Sequence, residues 1–349
     1  MLMRRIPILY QDALAVAKLW ADLGGRREIE LGALEPLLWK DGSLTPPDLV
    51  RGLVSLGYHV TMTTNASLLQ HFAAELKAAG LSLLRISWHT TDPDKYREIS
   101  GHGDYAQFQA GIHAAARAGL PISFNRVLLR DFTDDLFPQL EFIERYGLRL
   151  KLYDLMWTPE ISGKYEMFYQ DWRPIIRGQV LPRTKKIERA GTCLGRKRMR
   201  FHLQGGAFVE IKIEDRIDRS QAPCIDCLHK SKCLEVFGDY FRVEPELQAH
   251  FCYLRRDIAF DLRLAIEGGQ AGVANLRDGL KTLLGGNFEP FLKSTPLRFI
   301  TTPFCNYNCF LPGTTISWCH KTTGDYSFPG RPRMTMEPQP EHHVFSTAH

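Results

Sequence analysis

Residues 297–324 read LRFITTPFCNYNCFLPGTTISWCHKTTG and carry the features that decide the fold of this 349-residue chain. Their first part, Arg298–Thr302, is a short apolar run that predicts a β-strand. The strand leads into a loop with three cysteines, Cys305, Cys309 and Cys319. Three thiolates from one loop can hold three irons of a [4Fe–4S] cube and leave the fourth iron open to a ligand. A zinc site or unrelated thiols are the alternatives.

Composition sets wide bounds on the class of protein. The chain is 44% hydrophobic and 24% charged, with a net charge of +5, which is ordinary for one large globular domain or two unequal ones. Its basic residues are scattered apart from clusters at 183–186 and 196–200, so no nucleic-acid partner is expected, although a polyanionic small molecule is permitted.

The sequence also indicates a compartment. No stretch approaches the roughly 20 apolar residues that span a bilayer, so no membrane partner is expected, and the start does not resemble a secretory signal. Eight cysteines in such a chain favour metal or cluster ligation in a reducing cytosol over disulfides. We therefore expect a cytoplasmic protein.

Short apolar runs alternate with amphipathic segments along the first half of the chain. The runs predict strands at 29–31, 60–64, 83–87, 122–129 and 148–155, and the segments predict helices at 12–23, 47–56, 67–79, 105–118 and 134–145, with two more at 258–265 and 273–284. This alternation predicts an α/β fold with a parallel sheet and right-handed crossovers. Active sites of such sheets gather at the carboxyl ends of the strands.

The cysteine loop resembles the cluster loop of radical S-adenosylmethionine (SAM) enzymes, a Cys-x3-Cys-x2-Cys motif with an aromatic residue before the third cysteine. Trp318 occupies that aromatic position, but nine residues separate Cys309 from Cys319. The turn residues Pro312 and Gly313 allow the extra residues to loop out. The stretch from Glu30 to about Pro159 is similar to the core of a partial (β/α)6 radical SAM barrel, nearest to the branch that contains the GTP 3′,8-cyclase.

The same resemblance implies a set of SAM-binding residues. Glu35 begins a Glu-Pro segment whose backbone holds the SAM amino group in the family, although Ala33 and Leu34 stand where two glycines are usual. The other implied residues follow successive strands and are Thr64, Asn65, Ser87, Asn125 and Met156. Turn chemistry for Asn65, a strand-end hydroxyl for Ser87 and a strand-edge cap for Asn125 are the alternatives.

The strand that opens the family's barrel lies here near the end of the chain. The helix predicted at 12–23 resembles the one that normally follows that strand, so the chain resembles a circular permutant. The predicted units are a partial barrel at 1–160, an extension at 161–265, linker helices with the cluster strand and loop at 266–325, and a poorly ordered tail at 326–349. The alternatives are that residues beyond about Ser294 act on a neighbouring subunit, or that the true first strand is not in this sequence.

A second cysteine group lies in the extension, and its members are Cys224, Cys227, Cys233 and Cys252. It resembles the ligand set of the auxiliary-cluster ("Twitch" or SPASM) extension, which implies a second [4Fe–4S] cluster. A structural zinc knuckle fits the Cys-x2-Cys-x5-Cys spacing almost as well. Cys193 is left over and either replaces Cys252 as a ligand or is a buried thiol.

The resemblance implies the function. We expect a radical SAM enzyme in which a [4Fe–4S] cluster on Cys305, Cys309 and Cys319 cleaves SAM to a 5′-deoxyadenosyl radical. That radical abstracts hydrogen from a small-molecule or peptide substrate, with an electron donor such as flavodoxin or ferredoxin. Nucleotide chemistry like that of the GTP 3′,8-cyclase is an alternative, which the ending Ser346–His349 in place of a Gly-Gly tail disfavours. The other alternative is a non-catalytic zinc or Fe–S protein on a relic barrel.

Overall fold

The computed structural model describes residues 7–32, 35–101, 103–132, 135–190, 197–212, 222–233 and 237–300. The predicted ligands Cys193, Cys305, Cys309 and Cys319 and the predicted tail lie outside the described residues.

Helices and strands alternate through the first half of the chain, as the sequence predicts. The described helices are α1 (Tyr10–Asp22), α2 (Pro46–Ser55), α3 (Leu69–Ala78), α4 (Pro93–Ser100), α5 (Tyr105–Arg117), α6 (Leu136–Tyr146), α7 (Ser162–Phe168), α8 (Trp172–Ile175), α9 (Ala222–Ile225), α10 (Leu262–Glu267), α11 (Gly269–Leu284) and α12 (Phe288–Ser294). The strands are β1 (Glu28–Gly32), β2 (His59–Thr64), β3 (Leu83–Ser87), β4 (Ile122–Val127), β5 (Arg149–Tyr153), β6 (Lys186–Ala190), β7 (Arg198–His202), β8 (Phe208–Lys212), β9 (Phe241–Val243), β10 (Gln248–His250), β11 (Ala259–Asp261) and β12 (Leu297–Ile300).

Local sequence signals set the helix boundaries. Thr45 and Asp48 form a reciprocal capping box at the start of α2, with proline in its first turn. The Asp104 carboxylate caps α5 by accepting from the backbone amides of its first turn. Gly101 and Gly147 end α4 and α6 with positive φ angles, a conformation that costs glycine little.

The strands form one sheet in the order β11-β10-β9-β12-β1-β2-β3-β4-β5-β8-β7-β6. All neighbours from β9 to β8 are parallel, and only the hairpin strands at the two ends are antiparallel. This arrangement confirms the α/β class and is consistent with a partial barrel.

The position of β12 confirms that the last described strand precedes the first one in the sheet. Leu297 pairs with Ile29 and Ile300 pairs with Gly32 in parallel register. The strands β12-β1-β2-β3-β4-β5 are therefore consecutive, and β12 ends at Ile300, level with Gly32 of β1 and directly before the cysteine stretch in the sequence. Parallel neighbours have their carboxyl ends at the same edge, so this is the edge where a site is expected.

The two faces of the sheet differ in chemistry. One face is apolar and is covered by helices, with buried residues from every central strand that include Ile29, Val60, Leu84, Phe124 and Leu150. The register places polar and charged residues together on the opposite, inner face; these are Arg298, Glu30, Thr61, Arg85, Ser123, Lys151 and Glu210. A sheet with one apolar and one polar face encloses a polar interior when it curls.

The extension adds strands to both edges of the barrel sheet. Strands β6–β8 join at β5, and β9–β11 join at β12. Each of these groups contains an antiparallel hairpin, β7-β8 in the first and β9-β10 in the second. The predicted unit boundaries at 160, 265 and 325 stay predictions.

Two differences from the predicted elements have a physical reason. Residues 259–261 form β11, not the start of a helix, because their backbone pairs with β10 at the edge of the sheet. The sequence-based assignment also missed α4, whose start is set by the Asp92 carboxylate and Pro93.

Among the described helices, none is both long enough and apolar enough to span a lipid bilayer.

Candidate active site

Glu35 organises the carboxyl ends of β1 and β2. Its carboxylate accepts hydrogen bonds from the Thr64 hydroxyl at 2.6 Å and from the backbone amides of Asn65 at 2.7 Å and Leu37 at 3.1 Å. The predicted SAM residue Thr64 is buried, and its hydroxyl lies on Glu35. The Glu-Pro segment is therefore fixed to the turn that follows β2.

Burial raises the pKa of Glu35 to about 7, although the hydrogen bonds from Thr64, Asn65 and Leu37 favour the charged form. A carboxyl group that titrates near neutrality at a strand end is typical of a functional site, but structural networks shift pKa values too. Here the three donors show that Glu35 holds the loop in place.

The turn after β2 is tight and is packed from behind. Asn65 is exposed, and its side-chain oxygen accepts from the amide and the hydroxyl of Ser67 at 2.9 and 2.7 Å, which is the turn chemistry left open as an alternative. Ala66 has a φ of 67°, and its carbonyl faces Gly111 of α5 so closely that a Cβ there would lie 2.1 Å from the oxygen. Only glycine fits at position 111 without displacing the turn.

Two other predicted SAM residues are neighbours on the inner face. Ser87 ends β3 and is the register partner of Asn125 on β4, and both side chains are half-buried. Met156 is half-buried in the loop after β5, next to the buried Trp157. The structure thus brings Ser87 and Asn125 together, whereas Glu35 and Thr64 form a separate group one strand away.

A buried network behind β3 and β4 supports this edge. Asp135 accepts hydrogen bonds from the Arg126 guanidinium, from the Thr90 hydroxyl at 2.7 Å and from Thr91. Burial opposes the charge on Asp135, but Arg126 and these donors outweigh it and lower its pKa to about 2. The sequence suggests only a helix cap for Asp135. The contact of its carboxylate with the loop after β3 depends on tertiary packing.

The inner face carries more positive than negative charge among the described residues. Glu30 pairs with Arg85 and with Arg298, the latter at 3.3 Å, while Glu210 lies 2.8 Å from Arg200 and 3.8 Å from Lys151 and Arg198. Burial opposes ionisation of Glu30, yet the two guanidinium groups lower its pKa to about 2. Each carboxylate is thus shared by several cations.

Asp239 links the two ends of the curled sheet. Its buried carboxylate lies 2.8 Å from the Lys212 Nζ on β8 and 3.6 Å from an Arg198 Nη on β7, although Asp239 itself precedes β9. Burial alone disfavours its charge, but Lys212 and Arg198 hold its pKa well below the usual range. Nothing in the local sequence around residue 239 signals this contact.

The second cysteine group lies next to the barrel edge. The knuckle, residues 222–233, packs on Trp157 through His229, whose ring centroid is 5.5 Å away, and through the Lys232 ammonium at 5.2 Å. None of its cysteines is in a disulfide. Within the described residues, no three His, Cys, Asp or Glu side chains are arranged to hold a metal ion.

Cys252 of the extension lies beside the strand that leads to the first cysteine loop. It lines a small cleft together with Ile300, the last described residue before that loop. The cleft is also lined by Arg242, Glu244, His250, Tyr253 and Arg256. One predicted auxiliary ligand is therefore beside the end of β12.

Comparisons with known proteins point to one family. A model of the radical SAM superfamily matches residues 6–141. The GTP 3′,8-cyclase of Rhizobium leguminosarum bv. trifolii is 38% identical over 143 residues, 40% of each chain, so this chain spans about 40% of that relative's length. The probable GTP 3′,8-cyclase of Methanothermobacter marburgensis is 26% identical over 267 residues, 74% of this chain and 79% of the relative.

A likeness to solved structures is weaker than these sequence matches. Streptococcus suis SuiB, in its crystal structure bound to S-adenosylmethionine, aligns with 42% of this chain and 34% of its own at 17% identity and a TM-score of 0.36. The assignment therefore rests on the sequence matches, which agree with the parallel α/β sheet and the placement of β12. Residues 6–141 therefore match the radical SAM superfamily, and the chain is similar to the GTP 3′,8-cyclases of that superfamily.

Proposed function

We propose that the chain is a radical SAM enzyme that reductively cleaves SAM at a [4Fe–4S] cluster held by Cys305, Cys309 and Cys319. The cluster and SAM supply a 5′-deoxyadenosyl radical that abstracts hydrogen from the substrate. The observation that carries the proposal is the parallel pairing of β12 with β1, since the last described residue before the cysteine loop, Ile300, pairs with Gly32, three residues before Glu35.

The residues at the strand ends suit SAM. Glu35 fixes the loop whose backbone faces the amino group in the family, and its ties to Thr64 and Asn65 keep that loop rigid. Ser87 and Asn125 offer neighbouring hydroxyl and amide groups for the ribose and carboxylate, and Met156 offers an apolar contact for adenine. Their part is to bind and orient, which is how a protein assists cofactor chemistry.

The knuckle fits a second metal centre by its donor chemistry. Four thiols in the order Cys224, Cys227, Cys233 and Cys252 suit an Fe–S cluster or zinc. Proximity of Cys252 to the end of β12 supports a role in passing electrons to the first cluster, supplied by a donor such as flavodoxin or ferredoxin. A reducing cytosol suits both sites.

The inner face favours a substrate with negative charge. Its arginines, together with Lys212, outnumber Glu30, Glu210 and Asp239 in the described residues, and a positively charged face of this kind concentrates anions. This observation favours a small anionic molecule within the proposed small-molecule or peptide class. It also supports the second candidate function, nucleotide chemistry like that of the GTP 3′,8-cyclase relatives.

Anaerobic reconstitution with iron and sulfide tests the cluster assignment. Two [4Fe–4S] clusters require about eight irons and eight sulfides per chain. Cys309→Ala is expected to lose about half of the iron and the change that SAM makes to the electron paramagnetic resonance spectrum of the reduced protein. Cys227→Ala is expected to lose the other half of the iron and to keep that change.

The outcomes separate the alternatives. Zinc without sulfide at both cysteine groups contradicts the enzyme and supports a zinc protein on a relic barrel. Sulfide-containing clusters whose spectrum does not respond to SAM contradict SAM binding.

A further inference from the structure

Arg255 joins the two segments that carry the second cysteine group. It lies three residues after Cys252, and its Nη1 donates a 2.6 Å hydrogen bond to the carbonyl oxygen of Pro223, 32 positions earlier and directly before Cys224. One side chain thus connects the start of the knuckle to the segment after β10.

The guanidinium is itself held in one orientation. Its Nε donates to one oxygen of Asp257 at 2.9 Å and its Nη2 donates to the other at 2.8 Å. Such a two-point pair fixes the plane of the guanidinium as a single hydrogen bond does not. Nη1 is therefore aimed at Pro223 before any metal binds.

Cys252 lies on the same short loop as Arg255, three residues before it. The hydrogen bond with Asp257 is the main cause that raises the pKa of Arg255. The Cys252 Sγ also accepts a hydrogen bond from the Leu254 amide at 3.3 Å. Amide and guanidinium donors around thiolates stabilise their negative charge.

We propose that Arg255 is the positioning residue of the second metal site, which fixes the Cys224–Cys227 turn against Cys252 so that a metal recruits only the remaining ligands. This inference rests on the proposed second metal site. It gives a physical role to the hydrogen bond that joins the residue before Cys224 to the loop of Cys252, in a site where no three ligands are yet arranged for a metal among the described residues. Preorganised ligands bind a metal more tightly because less ordering accompanies binding.

The test uses Co²⁺, whose thiolate complexes absorb visible and near-ultraviolet light. The protein is the full chain with Cys305, Cys309 and Cys319 changed to Ala, which leaves the second group to bind. In this background, Arg255→Met is expected to weaken Co²⁺ binding at least tenfold. The matched control is Arg173→Met, since Arg173 is exposed and its Nη1 likewise pairs with an aspartate two residues away, Asp171 at 3.1 Å; its Co²⁺ affinity is expected to stay within twofold of the parent.

Each result decides between the inference and its premise. Equal Co²⁺ affinity of the Arg255→Met variant and its parent overturns the role of Arg255 but leaves the second metal site intact. Absence of Co²⁺–thiolate absorption in the parent overturns the second metal site and the inference with it. Arg255→Lys keeps the charge without the two-point pair, so it decides the question if Arg255→Met does not fold; it is expected to bind Co²⁺ several-fold more weakly than the parent.

Discussion

Replacing Asp239 by Asn is expected to destabilise the protein by about 3 kcal/mol. Breaking one side of a buried ion pair costs roughly 3–5 kcal/mol because the remaining charge stays buried. The carboxylate is fully buried, and it lies 2.8 Å from the Lys212 Nζ, whose residue is also buried. We take the lower end of the range because Glu210, 3.8 Å from Arg198, continues to offset part of the positive charge.

The assay is urea unfolding followed by tryptophan fluorescence. With a slope of about 3 kcal/mol per molar urea, a loss of about 3 kcal/mol lowers the midpoint by about 1 M. The control is Asp171→Asn, whose carboxylate is 42% exposed and pairs with Arg173 at 3.1 Å. Surface pairs of this kind contribute about 0–1 kcal/mol, so its midpoint is expected to stay nearly unchanged.

A double variant separates the ion pair from other effects. Asp239→Asn with Lys212→Met removes both charges, and the pair is expected to be at least 1 kcal/mol more stable than the sum of the single changes predicts. Midpoints of Asp239→Asn and Asp171→Asn that agree within error would refute the idea that Asp239 connects the two ends of the sheet through charge.

The remaining predictions concern the site edge. Gly111→Ala places a Cβ 2.1 Å from the Ala66 carbonyl oxygen, so it is expected to lower the free energy of unfolding by about 1–3 kcal/mol and to weaken SAM binding measured by calorimetry. The control is Gly163→Ala, where a Cβ meets open space. Equal SAM affinity of the two variants contradicts the packing argument. Because the folded-state pKa of Glu35 is raised to about 7, the protonated carboxyl contributes stability that is fully present below about pH 4.5 and is lost as the pH rises through 7. The urea midpoint of the parent is therefore expected to fall over this pH range, and Glu35→Gln is expected to reduce that fall. An equal fall in both proteins contradicts the prediction. The folded-state pKa of Asp135 is lowered to about 2, so its carboxylate contributes about 2–3 kcal/mol of stability above pH 4, which is lost as the pH falls toward 2. Asp135→Asn is expected to unfold at a lower urea concentration than the parent at pH 7 and to lose less stability on acidification. A variant as acid-sensitive as the parent refutes this prediction.

Local signals predict the strands, and the resemblance to the radical SAM barrel predicts their order. That resemblance places the strand predicted at Arg298–Thr302 beside the first one, and the register of Leu297 with Ile29 confirms it. Alternating apolar residues also predict which face of each central strand packs on helices.

Contacts between residues far apart in the chain cannot be predicted from the sequence pattern, for a physical reason. The pairing of Asp239 with Lys212 depends on how far the sheet curls, and the link from Arg255 to Pro223 depends on how a loop folds back. Edge strand β11 was assigned to a helix because its apolar spacing suits either structure until a partner strand is known. The roles of Cys305, Cys309 and Cys319 stay predictions.

Formation of 5′-deoxyadenosine tests the central claim most directly. Anaerobically reconstituted protein is incubated with SAM and dithionite, and the nucleoside is measured by liquid chromatography with mass detection; the control is a chain with Cys305, Cys309 and Cys319 changed to Ala. We predict 5′-deoxyadenosine that depends on both SAM and reductant in the first protein and none above background in the control. The same background level in both, from protein with its full iron and sulfide content, would contradict the claim.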